Sequence, residues 1–283
     1  MQIEVIIEKK SHKLDAEEGK TILETLQEHG IHVLTAPCGG RGRCGKCTVE
    51  VEHMGEVLAC MTKVTDGMRI TIPKVQLRAQ KSKIAENGTV THYPADDGEG
   101  LDAACDIGTT TVVCHLIDGK TGEKLATVSE PSAQRSFGAD VLSRIQAAEA
   151  GKLEILKEQI IFQIAQMLRT LQKKTGRGEQ IQRLAVVGNT VMCHLFAGIS
   201  PVSIGVTPFM PQEFFGKEYT GEQLGLTDCR SVYIAPAVAG FVGGDITSDL
   251  LAVMQKNPKE KVLLLDIGTN GEMAVGNEDQ IYC

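Results

Sequence analysis

The sequence predicts two domains: a small α+β unit over residues 1–80 and, after a polar linker at 81–100, an α/β region from 101 onward. Three observations predict this. Four of the nine cysteines are crowded between positions 38 and 60. The stretch from Arg78 to Gly100 is polar and carries Asn87-Gly88, Pro94 and Asp96-Asp97-Gly98-Glu99-Gly100, which is turn and linker chemistry. Finally, Ala103-Ala104-Cys105-Asp106-Ile107-Gly108-Thr109-Thr110-Thr111 returns as Leu263-Leu264-Leu265-Asp266-Ile267-Gly268-Thr269-Asn270-Gly271. A chain of 283 residues with 42% hydrophobic and 23% charged content has enough apolar side chains for about two cores.

In the first unit, alternation predicts a strand at Gln2 to Glu8 and further strands near Thr48 to Glu52 and Met68 to Ile72. A helix is expected from Thr21 to His29. Thr21 and Glu24 form a capping box, Ile22, Leu23 and Leu26 supply an apolar face, and Gly30 supplies the stop.

The loop Cys38-Gly-Gly-Arg-Gly-Arg-Cys44-Gly-Lys-Cys47, with Cys60 on the next segment, has the character of a ligand set. Four thiolates can hold two bridged irons, and glycines let backbone N–H groups approach the cluster sulfurs. Two other readings stand beside this one: a structural zinc site, which usually offers two close cysteine pairs, and unrelated buried thiols. Arg41, Arg43 and Lys46 place positive charge on the same loop, where it favours a reduced cluster and an acidic partner, or serves solubility alone.

Beyond residue 100, apolar strands alternate with longer helices. Leu153 to Lys174 is the clearest helix: Leu153, Leu156, Ile160, Ile164, Met167, Leu168 and Leu171 recur at helical spacing, and Gly176 follows a basic last turn. Each copy of the repeat continues into another apolar strand, so the pattern predicts two related hairpins in a duplicated fold. A strand ending in Asp before a Gly/Thr turn suits phosphate chemistry, because the carboxylate can hold hydrated Mg²⁺ while amides and hydroxyls meet the phosphates. Asn189 reads as a capping residue and His194 as a satisfied core histidine, with a place in an interlobe cleft as the other reading. Cys105, Cys114, Cys193 and Cys229 read as packing thiols.

The charge balance is −7, with eleven Lys/Arg against eleven Asp/Glu up to residue 80, so the acidic excess lies beyond it. That balance and the lack of tryptophan argue against a nucleic-acid partner. No run of eighteen apolar residues and no leader-like N-terminus is present, so the expectation is a cytoplasmic protein with no membrane partner.

Around its cysteines, including Val57-Leu58-Ala59-Cys60 and Met68-Arg69-Ile70-Thr71-Ile72-Pro73, the first unit resembles the 2Fe-2S ferredoxin family. The resemblance implies a β-grasp-like α+β fold and one 2Fe-2S cluster on Cys38, Cys44, Cys47 and Cys60. Five residues separate Cys38 and Cys44, against four in the plant-type pattern. The second region resembles the sugar kinase, Hsp70 and actin superfamily, which implies an α/β actin-like ATPase (ribonuclease-H-like) lobe over 101–260 and the start of a second lobe at 261–283. Val187-Gly188-Asn189-Thr190-Val191-Met192-Cys193-His194, Ala239-Gly240-Phe241-Val242-Gly243-Gly244-Asp245 and Asp266 to Glu272 are similar to segments of the ATP-dependent reductive activators of corrinoid proteins.

That resemblance implies an iron-sulfur protein that returns a Co(II) corrinoid protein to Co(I), fed by an electron donor, with ATP and Mg²⁺ as further cofactors. Asp106 and Asp266 are then the catalytic carboxylates, and Gly108, Thr109, Thr110, Thr111, Gly243, Gly244, Asp245, Gly268, Thr269, Asn270 and Gly271 bind the nucleotide. The family's adenosine segment falls after the second phosphate loop, whereas this sequence stops at Cys283. The expectation is a truncated second lobe whose strands, such as Val262 to Leu265, lack covering helices. Two alternatives follow: an electron carrier with a non-catalytic ATPase-like domain, or a small-molecule kinase with Asp245 as its base.

Overall fold

In the N-terminal sequence Gln-Ile-Glu-Val-Ile-Ile, alternation puts Ile3 and Val5 on one face, and both are buried in the computed structural model. The structure describes residues 1–74, 93, 98–255 and 259–283, so most of the expected linker lies outside the described residues. The chain divides into two compact units, Met1–Lys83 with Ala133–Ala147, and Ile84–Ser132 with Ala148–Cys283.

The first unit is a five-stranded sheet of β1 (Gln2–Ile7), β2 (Lys10–Asp15), β3 (Thr48–Val51), β4 (Gly55–Leu58) and β5 (Arg69–Thr71). Its order is β2-β1-β5-β3-β4, with β1 and β5 parallel and the other neighbours antiparallel. The polar strand β2 was not anticipated. Glu8 and Lys9, at φ 47° and 71°, form a two-residue reversal that folds Lys10–Asp15 back along β1. Helix α1 (Ile22–Glu28) has the expected capping box at Thr21 and Glu24, and Ile22, Leu23 and Leu26 enter the core beside Val49 and Ile70. Gly30, at φ 69°, ends it as the Ile31 N–H returns to the Leu26 carbonyl. A short 3₁₀ turn, Ala133–Phe137, and helix α2 (Val141–Ala147) come from much later in the sequence and complete this unit.

The second unit is built on a six-stranded sheet of β6 (Leu101–Ile107), β7 (Thr111–Asp118), β8 (Lys124–Pro131), β9 (Ile181–Val187), β10 (Lys217–Thr220) and β11 (Cys229–Ile234). Its order, β10-β11-β9-β6-β7-β8, has β6, β9 and β11 parallel and β6-β7-β8 antiparallel, the ribonuclease-H-like arrangement. Helix α3 (Leu153–Thr175) buries Leu156, Ile160, Ile164, Met167, Leu168 and Leu171 against β7, β8 and α4 (Thr190–Ala197) and ends at Gly176, φ 69°. Cys105, Cys114, Cys193 and Cys229 are all buried in this unit. His194 is buried too: its Nδ1 lies 2.7 Å from the Thr190 carbonyl and its Nε2 accepts the Glu213 N–H at 3.3 Å, so Nδ1 carries the proton. Asn189 caps α4, accepting the Met192 N–H.

A third sheet holds β12 (Val262–Ile267), β13 (Gly271–Gly276) and β14 (Ile281–Tyr282). The expectation that these strands lack a covering helix is corrected on one face, where α5 (Gly244–Met254) packs Ile246 and Leu250 against Leu264 and Ala274. On the other face Leu263, Leu265, Ile267, Met273 and Val275 are exposed. Among the described residues, no helix is long and apolar enough to cross a membrane.

Candidate functional site

The glycines of the cysteine loop take the backbone where other residues rarely go: Gly39, Gly40, Gly42 and Gly45 all lie between φ 63° and 81°. At Gly42 a Cβ would meet Met61 Sδ at 2.7 Å, a contact that a shift of the exposed Met61 side chain relieves, so it is the φ of 71° that favours glycine there. The loop brings its thiols together in two pairs, Cys38 with Cys44 and Cys47 with Cys60. Burial alone would raise Cys38, but the backbone of Cys44, the Cys44 thiol, and the backbones of Arg43 and Arg41 bring it down to about 7. Burial, followed by contact with Cys47, pushes Cys60 up to about 12. Among the described residues no three His, Cys, Asp or Glu side chains are set to hold one metal ion between them, whereas a two-iron cluster spreads four thiolates over two irons. The two thiol pairs, together with N–H groups directed at Cys38, fit such a cluster.

The repeat becomes two related hairpins that differ by one residue in register. Asp106 pairs with Val113 and Ile107 with Val112, enclosing residues 108–111, whereas Asp266 pairs with Glu272 and Ile267 with Gly271, enclosing residues 268–270. The turns meet: Thr110 Oγ1 and Thr269 Oγ1 are 2.5 Å apart. Gly108 is required by space, because a Cβ there would lie 2.5 Å from the Thr111 carbonyl oxygen. Thr109 is buried, and its hydroxyl accepts from Asn189 Nδ2 at 2.9 Å.

Gly243 lets a further turn press on the backbone of Gly188 to Thr190, since a Cβ would fall 2.5 Å from Asn189 Cα and 2.6 Å from Thr190 N. Gly244 then starts α5, whose Asp245 N–H reaches the Gly188 carbonyl at 3.3 Å. Carboxylates accumulate here. Burial, reinforced by Asp245, Asp249 and Asp266, pushes Asp106 up to about 7. Asp245, Asp249 and Glu272 are also raised, each by burial first and then by neighbouring carboxylates, Asp266 among them. Asp106, Asp266 and Asp245 were singled out from sequence, while Asp249 and Glu272 were not. Asp249 follows Asp245 by four residues on one helix, a spacing that signals a shared face.

The chain matches the family described as RACo middle region over residues 101–257, more than half its length, and the 2Fe-2S iron-sulfur cluster binding domain over residues 4–74. It belongs to the RACo middle region family. It is 28% identical to the corrinoid activation enzyme RamQ of Eubacterium limosum, over 88% of this chain and 55% of that protein. It is also 28% identical to the [Co(II) methylated amine-specific corrinoid protein] reductase of Methanosarcina barkeri, over 63% of this chain and 34% of that one. A solved reductive activator for corrinoid, iron-sulfur protein superposes with a TM-score of 0.62 at 26% identity, covering 99% of this chain and 62% of its own. The chain thus spans about half the length of these curated relatives or less.

Proposed function

We propose that this chain is the electron-delivering part of a reductive activator of a corrinoid protein. Cys38, Cys44, Cys47 and Cys60 would hold the cluster through their thiolates, with the positive-φ glycines turning N–H groups toward the sulfurs. When bound, the cluster supplies a one-electron couple. The substrate is a Co(II) corrinoid carried by a partner protein and returned to Co(I), with the chain recharged by a separate electron donor.

ATP is proposed to lie at the paired turns. Gly108, Thr109, Thr110 and Thr111 meet its phosphates from one side, Gly268, Thr269, Asn270 and Gly271 from the other, and Gly243 and Gly244 keep the approach narrow. Asp106 and Asp266, together with Asp245, would orient the water shell of Mg²⁺. The cation would relieve the mutual repulsion that adds to burial in raising Asp106. A plant-type cluster lies at roughly −400 mV, so reducing a lower-potential cobalt centre needs such a nucleotide-linked change in the complex.

The observation that carries this reading is the contact of two sequence-related turns, Thr110 to Thr269, among carboxylates on a chain that also bears the four-thiol loop. The test mixes the anaerobically reconstituted, reduced protein, extended to the length of its relatives, with a Co(II) corrinoid protein and follows Co(I) absorbance with and without MgATP. Co(I) forming only with MgATP supports the reading. A cluster that stays reduced while Co(II) persists in both arms removes it.

A further inference from the structure

Residues 133–147 leave the second unit's sequence to fold with the first. Gln27, buried at the end of α1, donates from Nε2 to the Ser136 carbonyl at 2.9 Å. The Phe137 ring stands 6.4 Å from the His32 ring. At Gly39, next to Cys38, a Cβ would meet the Phe137 carbonyl oxygen at 3.2 Å and Ser143 Cβ at 3.7 Å, so the segment lies directly over the cysteine loop.

One peptide unit makes the decisive contact. The Ala139 N–H donates to the carbonyl of Pro37, the residue before Cys38, at 3.2 Å. The carbonyl of that same peptide, Gly138 O, faces Arg144 Nη2 at 3.4 Å. Arg144 is fully buried, reaches Gln134 Oε1 through Nη1, and is carried on α2, whose first turn is capped by Asp140 accepting the Ser143 N–H at 2.8 Å. A buried guanidinium is costly to desolvate and is kept where fixed donors and a permanent charge are used.

We propose that the strap 133–147 is the positioning element of the cysteine loop, with the Gly138–Ala139 peptide clamped between Arg144 and the Pro37 carbonyl so as to set the Cys38 end. The inference rests on the cluster reading only for its electronic part. In the loaded protein, the buried Arg144 charge favours the reduced, more negative cluster, so its removal shifts the midpoint potential downward.

The experiment uses the 283-residue chain with Arg144→Met, Arg144→Lys and Ala139→Pro, the last removing one N–H at an exposed position. In the iron-free protein, amide exchange at residues 36–40 is expected to quicken about tenfold in R144M and A139P, a local loss of about 1.4 kcal/mol. In the reconstituted protein, R144M is expected to give a more negative midpoint potential and altered cluster paramagnetic resonance, while R144K stays near the parent. Should R144M not fold, A139P decides by the exchange and resonance readouts. Quickened exchange in a protein that takes up no iron supports the positioning role and removes the cluster reading alone. Unchanged exchange, potential and resonance in a folded variant overturn the proposal.

Discussion

Asn189 uses both ends of its amide, accepting the Met192 N–H through Oδ1 at 3.0 Å and donating through Nδ2 to Thr109 Oγ1 at 2.9 Å. One side chain thus fixes the start of α4 and the first Gly/Thr turn together. Asn189→Ala removes a helix cap and a part-buried hydrogen bond, for a combined loss of about 2 kcal/mol and a melting temperature lower by roughly 4–8 °C. Asn189→Asp keeps the cap and loses the donor, so its melt should fall between the two. Equal melts for N189A and the parent would show that the turn is held by other contacts.

Asp106 gives a pH signature. Its folded-state pKa is raised from 3.8 to about 7, so the folded protein holds this proton more tightly than the unfolded chain. The associated stability is fully present below pH 4 and is lost as pH rises through 7. Asp106→Asn has no such dependence, and its advantage over the parent should widen by about 2 kcal/mol between pH 5 and pH 8. Parallel denaturation curves at the two pH values would contradict the buried, repelled carboxylate.

Cys44→Ser is expected to lose most bound iron and sulfide after anaerobic reconstitution, because each thiolate neutralises iron charge. Cys193→Ala, a change at a buried thiol in the other unit, should leave iron and sulfide content as in the parent. Zinc bound in place of iron, with no visible absorption, would return the loop to a structural role.

Asp106→Ala and Asp266→Ala, each in a form extended to the length of the relatives, should remove most ATP hydrolysis while cluster absorption is unchanged. If the carboxylates only order their turns, the cost is about 1 kcal/mol of stability and hydrolysis survives. Melts run beside the ATPase assay separate the outcomes.

What the sequence determined by itself was local. Thr21 and Glu24 bond across three residues, four glycines release one ten-residue loop, and Asp-Ile-Gly-Thr opens a hairpin turn twice, with the two registers one residue apart; each needs only near neighbours to act. Likewise, apolar spacing in Leu153–Thr175 sufficed to define α3 and its buried face. Strand β2 escaped detection because Lys-Ser-His-Lys-Leu-Asp has no apolar alternation, and its pairing is dictated by the reversal at Glu8 and Lys9. Glu272 and Asp249 became members of the acidic group only when β13 and α5 were brought beside β6. The strap was the least legible feature: no pattern in Ala133–Ala147 points to Pro37 or Gly39, about a hundred residues earlier. Contacts at such separation carry no sequence period. They exist only once burial of Phe137, Val141 and Ile145 has offset the entropy of bringing the two segments together.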